Sequence, residues 1–191
     1  MDFNLSDEQT LIVESAARYI REKQSIELKR QSIKSTAGFS TQHWQQFAEM
    51  GWLALALPDR VDGLNADIID ICLLMEQIGH GVFHEPIIDT GIIATSILAD
   101  ADNTPLADEI LTAIGGGEAI VALAHIEHDG RCEFTTEVTA SAKADGDNWV
   151  LNGEKQRVFY APTASHFIVS ASCNEQGYAL FVVPADNAGI S

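Results

Sequence analysis

Positive charge is scarce in this 191-residue chain: 11 Lys and Arg stand against 28 Asp and Glu, a formal net charge of −17. Between Arg60 and Arg131 there is no base at all. A polyphosphate backbone needs cations to displace its counterions, and an anionic lipid surface needs a basic patch. The composition therefore excludes nucleic acid and membrane surfaces as expected partners. Cysteine is equally sparse. Cys72, Cys132 and Cys173 are odd in number, far apart and without C-x-x-C spacing, which argues against a disulfide framework or a structural zinc and fits a reducing compartment. No apolar run reaches membrane-spanning length, and MDFNLSDEQ has neither the basic start nor the apolar stretch of a leader, so the expected location is the cytoplasm. Repeats, low-complexity tracts and long linkers are also missing.

What is present divides into two halves. Ser6-x-x-Gln9 has capping-box spacing, and Leu11, Ile12, Ala16, Tyr19 and Ile20 follow at helical spacing. Ser40 or Thr41 is placed to cap a second helix through His43, Trp44, Phe47 and Met50, which Gly51 ends. A third helix is predicted from the stripe Ile68, Ile71, Cys72, Met75 and Ile78, ending at Gly79. Pro86 suits the first turn of a fourth, through Ile88, Ile92, Ile93 and Leu98, and a short fifth runs from about Thr104 to Ala113. The expected core is Trp44, Phe47, Trp52, Ile71, Met75 and Ile78. Six bases crowded between Arg18 and Lys34 read as a solvated helical face.

After Gly115-Gly116-Gly117 the period changes. The runs AIVALA, EVTASAKA, NWVLNG, EKQRVFY, HFIVSAS and YALFVVP are separated by turn signals and predict strands. Asp145-Gly146 and Asn152-Gly153 are both hairpin signals, so WVLNGEKQRVFYAP reads as two strands around an Asn-Gly turn. The fold class is thus α+β: an all-helical domain over 1–117, then a mostly antiparallel β-domain over 118–191.

The motifs FNLSDEQ, WQQFAEMGWL, PDRVDGL, MEQIG followed by a Pro, GGGEAIVALA, LNGEK, AxxAxHFIVSA and LFVVPADNAGIS occur in order along the whole chain. In this order the sequence resembles the acyl-CoA dehydrogenase family of flavoenzymes. The resemblance implies the family's helical N-terminal domain and most of its middle β-domain, which is incomplete here, with the C-terminal helical domain absent from this chain. It also implies FAD as cofactor, weakly held or dependent on a partner, and α,β-desaturation of an acyl-CoA thioester. In the family a C-terminal carboxylate takes the α-proton while the flavin accepts a hydride, so no catalytic residue is assigned to this chain. Homo- or hetero-oligomers with similar subunits are expected.

The strands that the resemblance places beside the flavin carry Leu123, Ala124 and His125 where A-L-T-E-P is usual, and Arg157, Val158 and Phe159 where an aromatic, an aliphatic and a hydroxyl residue follow L-N-G-x-K. These six are the expected cofactor-binding residues. Losing hydroxyls at 124 and 159 removes about 0.5–1.5 kcal/mol each, roughly ten-fold in affinity per position. Phe159 also adds bulk where the ring would lie. Arg157 reads either as a cation for the cofactor or as a solvated strand residue. These departures open an alternative of another class, a structural subunit that keeps the fold and supports an active partner. No metal site is expected. His125, Glu127, His128 and Asp129 read as a polar loop, and His80 and His84 are separated by a glycine that weakens a helical pair. The triple glycine lacks phosphate-loop spacing and reads as a helix stop.

Overall fold

The computed structural model describes residues 4–23, 25–101, 104–127, 138–173 and 177–191. They fall into two compact units, Met1–Glu118 and Ala119–Ser191.

In the helical unit the caps behave as their chemistry dictates. The Gln9 amide donates to Ser6 Oγ and the Ser6 amide to Gln9 Oε1, each at 3.1 Å, which starts α1 (Asp7–Lys23). The Ser25 hydroxyl caps α2 (Ile26–Ser32), a helix that periodicity misses because seven residues hold under two turns. Ser40 caps α3 (Thr41–Glu49), and Gly51, at φ +74°, takes the left-handed conformation that follows it. Asp67 and Asp70 form a reciprocal capping box for α4 (Ile68–Gly81). The helix predicted after Pro86 takes a different form: Asp89–Ala94 is a π-helical segment, continued by α5 (Thr95–Asp100). There the amides of Gly91 and Ile93 donate five residues back, to the carbonyls of Pro86 and Ile88. Thr104 caps α6 (Pro105–Gly115), whose Pro105 fills the first turn.

The core of this unit is aromatic. Tyr19 sits edge-on to Phe47 and Trp52 at centroid distances of 5.8 and 5.4 Å, with Trp44, Leu53, Leu74 and Ile78 buried around them. The predicted stripe on α4 is rotated. Leu74, Ile78 and Gly81 are its buried residues, while Ile71 and Met75 are half-buried in a shallow cleft with Trp52, and Ile68 and Cys72 are exposed. IIDICLLMEQIG is apolar on nearly every face, so spacing alone does not choose the inward one.

The reading of the 18–34 bases as solvated also fails at one residue. Lys29 is buried at 8% exposure, donates to the Gly81 carbonyl and stands 5.0 Å from the centre of the Phe83 ring. It thereby caps the carboxyl end of α4. Gly81 must be glycine, since a Cβ would come within 2.4 Å of that ring. His43 Nδ1 lies 3.2 Å from the buried Glu85 carboxylate close by.

The second unit is a mixed five-stranded sheet whose long ladders are antiparallel. Its strands are β1 (Val121–Ala124), β2 (Ser141–Asp145), β3 (Asn148–Asn152), β4 (His166–Ser172) and β5 (Tyr178–Pro184). β4 pairs antiparallel with β5, Phe167 opposite Val183, and parallel with β1, Ala124 opposite Val169. β2 and β3 form a hairpin in which Asp145 pairs with Asn148 around the two-residue turn Gly146-Asp147, and a single parallel bridge joins Ser141 of β2 to Ser172 of β4.

The hairpin predicted at Asn152-Gly153 is not formed. β3 ends at Asn152, and the residues after it are not a strand, because Arg157 and Tyr160 adopt left-handed φ values of +53° and +59°. Gly153 is required for a different reason: a Cβ there would lie 2.6 Å from that of Ala140. Two Asx-Gly signals stand seven residues apart, and pairing with β2 selects the first.

Candidate functional site: a cavity in the β unit

Four pieces of chain converge on one side of the β unit: the end of β1, the start of β2, the segment after β3 and the middle of β4. Together with β5 and the last residues of the chain they border an open groove of about 750 Å³, lined by the apolar Ala124, Val158, Phe167 and Val169 and by the polar Asn152, Glu154 and Lys155. Alternation along β4 explains the apolar lining, since Phe167 and Val169 face one way while Ile168 and Ser170, both buried, face the other. Lys155 is also on the wall.

Behind the wall lies a buried polar network. Lys155 Nζ donates to Glu127 Oε1 at 2.6 Å, to Ser170 Oγ at 2.9 Å and to the His125 carbonyl at 3.4 Å. Glu127 Oε1 also accepts the Ala140 amide at 3.0 Å, and Oε2 accepts the Thr139 amide at 2.6 Å and the Thr139 hydroxyl at 2.5 Å. The side chains of the pair are 9% and 8% exposed. Burial by itself raises the Glu127 carboxyl, but the hydrogen bonds from Lys155, Thr139 and the Ala140 amide outweigh it and hold the group down at about 2. His125 Nδ1 lies 2.9 Å from the same Ser170 Oγ.

Of the six expected cofactor-binding residues, Ala124 and Val158 line this cavity. Leu123 is half-buried in β1, opposite Ile168. His125 belongs to the polar network. Arg157 is exposed in its left-handed conformation, and Phe159 is 63% exposed and away from the cavity lining. The bulk that the sequence assigns to position 159 is thus directed elsewhere. A strand would point residues 157 and 159 to one face and 158 to the other, but the positive φ values at 157 and 160 abolish that alternation.

Sequence reasoning took Glu127 for part of a polar loop and passed over Lys155. The signal available was Lys155 in LNGEK, a base placed directly after an apolar strand. His128 and Asp129 of the same loop lie outside the described residues, and among those described no three His, Cys, Asp or Glu cluster as metal ligands. No helix of the described residues is long and apolar enough to cross a membrane.

A helical unit followed by a sheet unit is the domain order of one family of proteins. The chain matches the family description "Acyl-CoA dehydrogenase, N-terminal domain" over residues 6–104 and "Acyl-CoA dehydrogenase, middle domain" over residues 122–191. It belongs to the acyl-CoA dehydrogenase family. Benzylmalonyl-CoA dehydrogenase of Aromatoleum aromaticum is 25% identical over all of this chain and 51% of its own length. The structure described as PigA with FAD and proline is 25% identical, with a TM-score of 0.82 over 99% of this chain and 51% of that one. The Tcur3481-Tcur3483 steroid ACAD G363A variant is 26% identical, with a TM-score of 0.82 over 94% of this chain and 48% of that one. The chain spans about half the length of the relatives it matches.

Proposed function

We propose that this chain supplies the N-terminal and middle parts of an FAD-dependent acyl-CoA dehydrogenase that desaturates an acyl-CoA thioester in the cytoplasm, as a homo- or hetero-oligomer. The observation that carries this reading is the open groove of the β unit, of mixed polarity, with Ala124 and Val158 on its wall. Part of its lining suits the flavin ring: Ala124, Val158, Phe167, Val169 and Val183 offer aliphatic and aromatic surface to a planar ring system, beside the polar Asn152 and Glu154. It does not fit the diphosphate equally well. Lys155 is the cation on the wall, and its three N–H groups are directed at Glu127, Ser170 and the His125 carbonyl. Charge for the diphosphate would come from elsewhere in the assembled protein.

When bound, FAD supplies the acceptor for a hydride from the β-carbon of the acyl group. The residues of this chain shape the ring's site and keep water from one side of it, and no catalytic base is assigned among them. The similar solved structure of PigA with FAD and proline supports the cofactor.

One set of observations favours a second reading, a structural subunit that has lost its own flavin site: Ala124 has no hydroxyl, and the left-handed Arg157 leaves the segment after β3 without a strand. The paired protein names of the Tcur3481-Tcur3483 structure are in keeping with it. Flavin absorbance decides between the two. One FAD per copy of this chain in the purified full-length protein or its complex supports the enzyme. A complex with flavin for its partner chains alone identifies the structural subunit.

A further inference from the structure

Lys155 lies on the wall of a cavity read above as the flavin's, and a lysine in such a place is ordinarily taken for a ligand contact. Its geometry says otherwise. An ammonium has three N–H groups, and three protein acceptors stand within 3.4 Å: Glu127 Oε1, Ser170 Oγ and the His125 carbonyl. Nothing remains to donate to a ligand.

Glu127 is engaged as fully, accepting from the amides of Thr139 and Ala140, the Thr139 hydroxyl and Lys155. A buried ion pair is a weak source of stability, because desolvating both charges offsets most of their attraction. What this pair provides is registry. It ties together the exit of β1, the entry to β2, the segment after β3 and the middle of β4, four pieces far apart in sequence. Each also carries wall residues: Ala124, Ala140, Gly153 with Val158, and Val169. Beside the pair, the Gln156 amide donates to the Ile126 carbonyl at 2.8 Å, repeating the tie in the backbone.

We propose that the Glu127–Lys155 pair is a buried brace that sets the spacing of the cavity walls, and that Lys155 is a positioning residue which does not touch the cofactor. The proposal rests on the flavin reading for its ligand, but the brace can be measured without one.

The test uses the full chain, FAD as probe, and the variants K155M, K155R and E127Q/K155M. The double variant leaves no unpaired buried charge, so it should melt above K155M and remain folded. Amide hydrogen exchange at Thr139, Ala140 and Gln156 should quicken about ten-fold or more in K155M and in the double variant, with K155R near the parent. FAD binding, followed by flavin fluorescence, should weaken about ten-fold in the same two variants and return in K155R. Weaker FAD binding by the double variant with unchanged exchange would make Lys155 a direct ligand contact and overturn the brace, as would parent-like exchange and binding. If the parent itself takes up no FAD, with or without a partner, the flavin reading fails. The exchange arm then stands alone: faster exchange in the double variant supports the brace, and unchanged exchange overturns it.

Discussion

Glu127 and Tyr19 are both removed from water, and their surroundings push them in directions that make opposite pH predictions. Glu127 is held at about 2 against an ordinary 4.5, so above pH 4.5 the folded state gains from its ionised form. As pH falls from 4.5 towards 2 the unfolded chain binds the proton first, and this contribution is lost. Acid titration of the β unit, followed by Trp149 fluorescence, should show the loss over that window, and E127Q should flatten it. Tyr19 is pushed up to about 12 by burial and by the Glu85 charge. Below pH 10 that group is protonated in both states. Between pH 10 and 12 the unfolded chain gives up its proton first, so stability falls as pH rises. In Y19F, which also loses the 2.6 Å hydrogen bond to Gln46, stability should be less steep over that range in urea melts.

At the scale of the element, α4 and the end of β3 offer the sharpest checks. Leu74→Ala, at a site 2% exposed, should cost about 2–5 kcal/mol. Ile71→Ala and Met75→Ala, half-buried at the cleft, should cost under about 2 kcal/mol each, since less area returns to water. Equal losses at all three positions would place the stripe of spacing, and not Leu74, against the core. Gly153 and Gly146 differ in kind. Gly146→Ala meets no neighbour and strains only φ +61°, a cost of about 1 kcal/mol. Gly153→Ala drives a Cβ into Ala140 and should lower the melting temperature more.

For the whole molecule, the charge of −17 sets the terms of association. Trp149, Val150, Tyr178 and Leu180 are exposed apolar residues on β3 and β5, and the seven residues of β5 carry no charge to discourage pairing. Like-charge repulsion opposes contact between copies at low ionic strength, and salt screens it. Sedimentation should therefore show more self-association at 0.5 M than at roughly 0.05 M salt, the opposite of a charge-driven complex. A monomer at both would mean these residues are no association surface.

The caps at Ser6 and Ser40, the change of period after Gly115 and five of the six predicted strands were legible in the sequence because each rests on local chemistry. Ser6 and Ser40 each accept the amide three residues on, and alternation along HFIVSAS needs only the pleat. The family was legible for a related reason, since its motifs are short and lie in order. Tertiary structure decided what local chemistry leaves degenerate. It chose the inward face of α4, which is apolar almost all round. It buried Lys29 against a carbonyl and a ring brought from about fifty residues away, and it placed the hairpin turn at Gly146-Asp147 and none at Asn152-Gly153. In the cavity, Ala124 and Val158 are contributed by separate pieces of chain, and the pair that aligns those pieces, Glu127 and Lys155, is 28 residues apart in sequence. Neither has a partner within reach along the chain, so their relation exists only once the sheet has formed.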